Sequence, residues 1–350
     1  MAHTLAREQL GEWLTKIAEG KRLIAPVRDS LGRVSFGDVD DLAQIVMQPG
    51  VVDEGLKRWF YPASEEMLRY TGSGAKVRVY EKPQDERDLV VFGARLCDAA
   101  ALALADEFWA CDEGDPYYAR RRERSLVVAM NCDAVVPECF CESIAGALSN
   151  PRGMDVLLTP IEGDKVLVEG MSEQGEAAVA ATAGLLAEAD VDAAAVRAEL
   201  AAKVGAMQKR RIEPEGVTAA IQGVFKDAGF WQGETAACIG CGVCTFLCPT
   251  CTCFDVMDDA IAGTGYRYRC WDTCQFRQFC EEASGHDRRP QQWERQRQRI
   301  SHKLWYSVDR FGKISCVGCG RCVKQCPVNI DISKVAGEAA ALETASPEGG

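Results

Sequence analysis

Eight of the 18 cysteines in this 350-residue chain fall in two copies of one spacing, C-x2-C-x2-C-x3-C-P. The first copy runs from Cys238 through Cys241, Cys244 and Cys248 to Pro249; the second runs from Cys316 through Cys319, Cys322 and Cys326 to Pro327. Three thiolates two residues apart, on a loop loosened by Gly240 and Gly242, or by Gly318 and Gly320, can wrap three irons of one cube. The fourth cysteine opens the next segment and points away, so where two such motifs share a chain it serves the other cube. The expected ligand sets are therefore crossed. Cys238, Cys241, Cys244 and Cys326 would hold one [4Fe–4S] cluster, and Cys316, Cys319, Cys322 and Cys248 the second. Zinc is the competing metal and would make the chain a zinc-bound scaffold. Zinc sites, however, usually use two separated C-x2-C knuckles rather than two complete copies closed by Cys-Pro.

Ten cysteines remain. Cys97 follows the expected strand Leu89–Phe92, and Cys132 follows the expected strand Leu126–Met130. If those strands are neighbours, both thiols emerge at the strand ends where α/β sites collect. Cys139 and Cys141, on a loop opened by Pro137, could join them as a third iron–sulfur cluster, with Asp98 as a spare oxygen ligand; four buried free thiols are the competing reading. Cys251 and Cys253 stand just past the first motif, and Cys274 follows Trp271-Asp272, with Cys270 and Cys280 nearby. These either shield the first cluster and tune its potential or hold an extra centre together with Cys274. Cys111 reads as a structural thiol at a helix end. His3, His286 and His302 pair with no Ser or Cys at triad spacing, and HExxH, P-loop and GxSxG motifs are missing. No catalytic residue is expected. Gly72-Ser-Gly74 lacks the third glycine of a dinucleotide fingerprint, which leaves a flavin-bearing oxidoreductase in its own right as the weaker alternative.

A formal charge of −12, taken to roughly −16 by two oxidised cubes, argues against nucleic acid as a partner. The start of the chain lacks the apolar core of a signal peptide, and the run Ala177–Ala187 is too short to span a bilayer. Reduced, metal-bound thiols in the cytoplasm are the expectation.

These residues need elements to position them. The fold class expected is α+β and multidomain. Residues 1–170 would form an N-terminal α/β-type domain, opening on an amphipathic helix over 1–20. Strands are expected at Leu23–Val27, Arg33–Phe36, Lys76–Tyr80, Leu89–Phe92 and Leu126–Met130, with a helix at Ala99–Trp109 and a hairpin over 155–169. Residues 171–228, rich in Ala, Glu, Leu and Lys, read as a helical arm with Asp192 as an N-cap. A two-[4Fe–4S] ferredoxin-like domain follows at 229–335, carrying a long helical insertion over 250–315. The Arg-rich part of that insertion, Glu281–Lys303, reads as a solvated helix face or a backing that offsets cluster charge. Residues 336–350 read as a disordered acidic tail.

Several stretches together resemble one family. They are CIGCGVCTFLCPTCTCFDV (238–256), Trp271–Phe276, Ala283–Pro290 and Cys316–Ile332, with Phe92–Asp98, Asp115-Pro-Tyr-Tyr and Asn131-Cys132 through Cys141 in the first domain. The family is the dicluster electron-transfer subunit shared by sulfhydrogenase beta subunits and the A subunit of anaerobic sulfite reductases, with a similar subunit beside heterodisulfide reductase in flavin oxidoreductase complexes. The resemblance covers about residues 60–335, and Leu96 departs from the expected Pro. It implies a non-catalytic iron–sulfur relay of single electrons in anaerobic metabolism. The implied partners are a flavin subunit oxidising NAD(P)H, which would carry the flavin, and a hydrogenase-, sulfite-reductase- or heterodisulfide-reductase-like subunit.

Overall fold

The computed structural model describes residues 2–47, 50, 52–81 and 87–345. Its main sheet has eight strands: β1 (His3–Ala6), β2 (Arg22–Arg28), β3 (Val34–Asp38), β6 (Leu89–Arg95), β7 (Ser125–Met130), β8 (Val156–Ile161), β9 (Lys165–Gly170) and β10 (Ala187–Glu188). They lie in the order β10-β1-β9-β8-β7-β6-β2-β3. Four consecutive strands, β8, β7, β6 and β2, are parallel neighbours. Both faces of such a ribbon are covered, which is why β6 and β7 read as continuous apolar runs. On one face α3 (Leu96–Trp109) and α7 (Ala193–Met207) cover Val91, Val127 and Ala129. On the other, α1 (Leu10–Ile17) and α6 (Glu173–Ala181) cover Val90, Leu126 and Val128.

A second sheet, ordered β11-β12-β4-β5, joins β4 (Ser64–Thr71) and β5 (Arg78–Glu81) to β11 (Phe254–Ile261) and β12 (Thr264–Trp271). The short helices α2 (Lys57–Phe60), α4 (Pro116–Glu123) and α5 (Cys141–Ala145) link these layers. The remaining helices are α8 (Pro214–Val224), α9 (Ala228–Thr235), α10 (Val243–Phe246), α11 (Gln292–Ser301), a π turn at His302–Tyr306, α12 (Ser307–Phe311), α13 (Arg321–Lys324) and α14 (Ile332–Ala345). They gather a third core around Ile221, Trp231, Ile300, Leu304 and Val335.

Four expectations need correction. Residues 1–20 are not one helix: His3–Ala6 pair with β9 and β10, so Leu5 points into the core from a strand. Residues 171–228 are not wholly a helical arm, because β10 joins the main sheet, and α7 and α8 each feed a core through Ala201 and Val204, or Val217, Ala220 and Ile221. Asp192 does cap α7, accepting from the Ala194 and Ala195 amides. The insertion is not wholly helical, since it opens with the hairpin β11–β12. Its two-residue turn, Ala262 (φ 50°) and Gly263 (φ 78°), has the left-handed pair that matches strand twist. That hairpin pairs with β4, so one sheet spans the expected first and third domains. Finally, 336–345 is helix: Ile332, Val335, Ala336 and Ala339 form an apolar stripe at helical spacing and bury against the third core. Residues 346–350 lie outside the described part.

Candidate metal centres

Each motif folds as a loop turned by two left-handed glycines into a short helix. Gly242 (φ 76°, ψ −9°) precedes α10 and Gly320 (φ 76°, ψ −8°) precedes α13, so the two copies share one backbone path. Side chains at these positions would be strained, and at Gly318 and Gly320 an added Cβ would lie 2.5 Å from the Phe140 and Glu138 carbonyl oxygens. Gly318→Ala is therefore expected to cost about 1–3 kcal/mol and to lower iron content, read by thermal melting and iron analysis.

Cys238, Cys241, Cys244 and Cys326 line one cavity with Gln275, Gln296, Arg299, Val328 and Ile330. The crossing cysteine therefore stands with the first motif. Donors already point at its sulfurs: Gln296 Nε2 at 3.0 Å and Gln292 Nε2 at 3.4 Å from Cys238 Sγ, and the Ile330 amide at 3.2 Å from Cys326 Sγ. Hydrogen bonds to sulfur favour the more negative, reduced cluster. Replacing Gln296 by Leu should lower the potential of the cluster beside it by roughly 40 mV, one hydrogen bond of about 1 kcal/mol expressed per electron, measurable by EPR-monitored redox titration.

The second set is more deeply buried. Burial pushes the Cys316 thiol up to about 12 and Cys319 up to about 11, and the charges of Cys322 and Cys248 add to both shifts. Cys322 in turn senses Cys248 and, from the first set, Cys244. Four thiolates crowded out of water need countercharge. Three buried cations supply it. Lys303, 2.9 Å from Thr250 Oγ1, sits behind Cys248 and Cys316 and is held charged by them. Arg299 is held charged by Cys244 and Cys322 together, which puts it between the two sets. Arg321 lies beside Cys319 and pairs with Asp98 at 2.7 Å, both almost fully buried. Donors aimed at Cys238 and Cys326, glycines where a Cβ would intrude, and buried cations facing the thiols fit two anionic cubes. Among the described residues no three Cys, His, Asp or Glu side chains close on a point as a single ion would require.

The four N-terminal cysteines lie in one neighbourhood, where they sense one another in pairs. Strands β6 and β7 are parallel neighbours, so Cys97 and Cys132 leave the same end of the sheet. Burial raises both thiols, Cys132 to about 11; Cys97 senses Cys141, and Cys132 senses Cys139. Gln208 Nε2 donates to Cys141 Sγ at 3.2 Å. This group abuts the second motif: the Phe140 amide donates to the Gly318 carbonyl at 2.9 Å, and Cys319 is felt by both Cys97 and Cys139. Asp98 is not a spare ligand. Arg321 holds its carboxylate, and Gly55 leaves the room, since a Cβ there would come within 2.9 Å of both partners.

Cys251 and Cys253 do not join a cavity with the first motif's ligands. Cys251 donates to Cys248, and Cys274 donates its S–H and backbone N–H to Cys253, lowering that thiol to about 7. Cys270 lies on β12 and Cys280 beside Asp287, 3.7 Å from its Oδ1. Cys111 Sγ caps the end of α3 through the Glu107 carbonyl at 3.3 Å. Sequence reasoning missed Lys57, whose ammonium lies 3.8 Å over the Trp271 ring and faces Cys251, Cys248 and Cys253. It also left Arg299, Lys303 and Arg321 without individual roles; for Arg299 and Lys303 the signal was there, an Arg-rich run between two cysteine motifs in an acidic chain.

Residues 237–330 match the 4Fe-4S dicluster domain. That stretch is a dicluster iron–sulfur domain. Along nearly its whole length the chain is similar to the sulfhydrogenase 2 subunit beta of Pyrococcus furiosus, 28% identical over 339 residues that make up 95% of this chain and 97% of that one. The likeness thus reaches into the first 60 residues, beyond the stretch where motifs alone carried it. Two [4Fe–4S] clusters are the cofactors of a dicluster domain, and the chemistry they bring is electron transfer. Among the described residues no helix is long and apolar enough to cross a membrane.

Proposed function

We propose that this chain is the electron-relay subunit of a cytoplasmic multi-subunit oxidoreductase of sulfhydrogenase type. In this reading it stands between a flavin subunit that oxidises NAD(P)H and a hydrogenase- or reductase-like subunit. When bound, each cube takes up and gives back one electron at a time. The observation that carries the reading is Cys326 lining the cavity of Cys238, Cys241 and Cys244, the crossed arrangement of two adjacent cubes. The chain's own residues then have distinct duties. Cys238, Cys241, Cys244 and Cys326 hold one cluster, Cys316, Cys319, Cys322 and Cys248 the other, and Arg299 between them screens their mutual repulsion. Cys97, Cys132, Cys139 and Cys141 hold a third centre next to the second cluster. Cys251, Cys253 and Cys274 shield the clusters and tune them through Cys248. The domain units in this proposal are 1–170, 171–228 and 229–335, with one sheet shared between the first and the last.

Contact order sets a direction along the chain. Cys97 and Cys139 sense Cys319, Cys322 senses Cys244, and Cys241 is exposed at the far end beside the exposed Ile239. A partner would dock there. The deciding experiment is iron and acid-labile sulfide per chain on anaerobically purified protein, with EPR after reduction. About twelve of each is expected if the N-terminal four bind a cubane, and about eight if they are structural thiols. Zinc without sulfide, or flavin on the isolated chain, would overturn the relay.

A further inference from the structure

At the opposite end of the main sheet from Cys97 and Cys132 lies a cavity of about 270 Å³. Strand β6 separates the two ends by about 20 Å at 3.3 Å per residue. Six arginines line the cavity, Arg22, Arg58, Arg87, Arg120, Arg121 and Arg124, and among the described residues no carboxylate does. In a chain of net charge −12 this is a concentrated reversal of sign. The acids that pair with four of these arginines, Asp38, Glu54, Glu65 and Asp88, stand outside the lining. Arg120 makes no ion pair among the described residues. Burial, and the Arg269 guanidinium outside the lining, push Arg121 down to about 10.

Apart from Ser125, the rest of the wall is apolar or aromatic. Trp59, Pro62, Leu89 and Tyr117 complete it, Arg22 lies 5.0 Å over the Trp59 ring, and the buried Trp59 Nε1 has no hydrogen-bond partner among the described residues. Guanidinium forks match phosphate oxygens two at a time, and they are the side chains suited to holding phosphate against a partly dry surface. A wall that also offers ring faces and an unused N–H suits an organic phosphate better than a bare one. The volume is at the small end of ligand pockets, too small for a dinucleotide.

We infer that the arginine-lined cavity at the N-terminal ends of β6 and β7 is a binding site for a nucleoside diphosphate or a similar small organic diphosphate. The site is separate from the metal centres and does not depend on the relay reading. Arg121 bonds Glu65, which bonds Arg269 on β12, so occupancy should also stiffen the second sheet and raise the melting temperature.

The test is isothermal titration of the full-length, cluster-loaded chain with ADP, adenosine, inorganic phosphate and oligoglutamate at low salt. ADP should bind with a Kd below about 100 μM, adenosine should not bind, and inorganic phosphate should bind at least tenfold more weakly. Arg120→Ala and Arg58→Ala, both on exposed side chains, should each weaken ADP at least tenfold while the cluster absorbance and iron content stay unchanged. Equal binding of ADP by these variants would overturn the site, as would phosphate binding as well as ADP. Oligoglutamate binding more tightly than ADP would overturn it in favour of an acidic protein segment. Iron content, read on the same samples, reports on the relay separately.

Discussion

Cys326→Ala combined with Cys238→Ala should leave one cubane intact, whereas Cys326→Ala combined with Cys316→Ala should leave neither. The asymmetry follows from the crossed sets. Cys326 belongs by sequence to the second motif, yet it lines the cavity of Cys238, Cys241 and Cys244 and takes the Ile330 amide on its sulfur. Removing Cys326 and Cys238 therefore damages one cluster twice. Removing Cys326 and Cys316 damages each cluster once. Two uncrossed sites would reverse the pattern. Iron analysis reads the difference as about four irons per chain against none from these two sites, and EPR of the reduced protein reads it as loss of inter-cluster coupling in the first case and loss of both cubane signals in the second. Electron delivery to any acceptor should stop in both. Cys270→Ala, on β12 and away from both sets, is the control that should keep every cluster.

How much of this was legible before any fold was known depends on whether the constraint is local. The motif spacing is local: a cube dictates which residues along about ten positions carry sulfur, so both motifs could be written down and a crossing expected. The strand pair β6 and β7 could be read from apolar runs, and with it that Cys97 and Cys132 leave the same end of the sheet. What stayed hidden was pairing between distant segments. Nothing in Phe254–Trp271 announces that its partner is Ser64–Thr71, nearly two hundred residues earlier, although the alternation and the Ala262-Gly263 turn could have marked a hairpin. Asp98 looked like a metal ligand because its partner, Arg321, arrives from the far end of the chain. A carboxylate beside a cysteine is ambiguous until the nearest cation is known. The helix at 336–345 was masked by the acidic, small-residue composition around it, and only the spacing of Ile332, Val335, Ala336 and Ala339 betrays a buried face.

That shared sheet is also where a single substitution should do most damage to stability. Glu65→Gln is expected to destabilise the protein by about 3–5 kcal/mol, a fall of roughly 4–7 °C in melting temperature at this chain length. Glu65 on β4 sits directly opposite Arg269 on β12 and is 5% exposed. Its carboxylate takes Arg269 Nε at 2.7 Å and a second contact from Arg121. Arg269, 2% exposed, also bonds Asp115 and lies over the rings of Tyr61, Trp109 and Tyr117 at 5.3, 5.1 and 5.7 Å. A neutral amide keeps the shape but leaves two buried guanidiniums with one carboxylate between them, and an uncompensated buried charge is the costly case. Asp258→Asn on β11 is the contrast. Its ion pair with Arg267 is exposed on both sides, so little stability should be lost. The consequence reaches the metal centres because β12 runs from Arg269 through Cys270 and Trp271 towards Cys274, while β11 begins next to Cys253. Loosening β4 from β12 loosens the base of the hairpin, where Cys274 holds Cys253 and Lys57 stacks on Trp271. Glu65→Gln should therefore lose cluster absorbance at a temperature that tracks its lowered melting point, measured by visible absorbance and far-UV circular dichroism in one scan. Should the clusters survive while the fold melts, or the melting point hold, the shared sheet would not be what ties the first domain to the iron–sulfur loops.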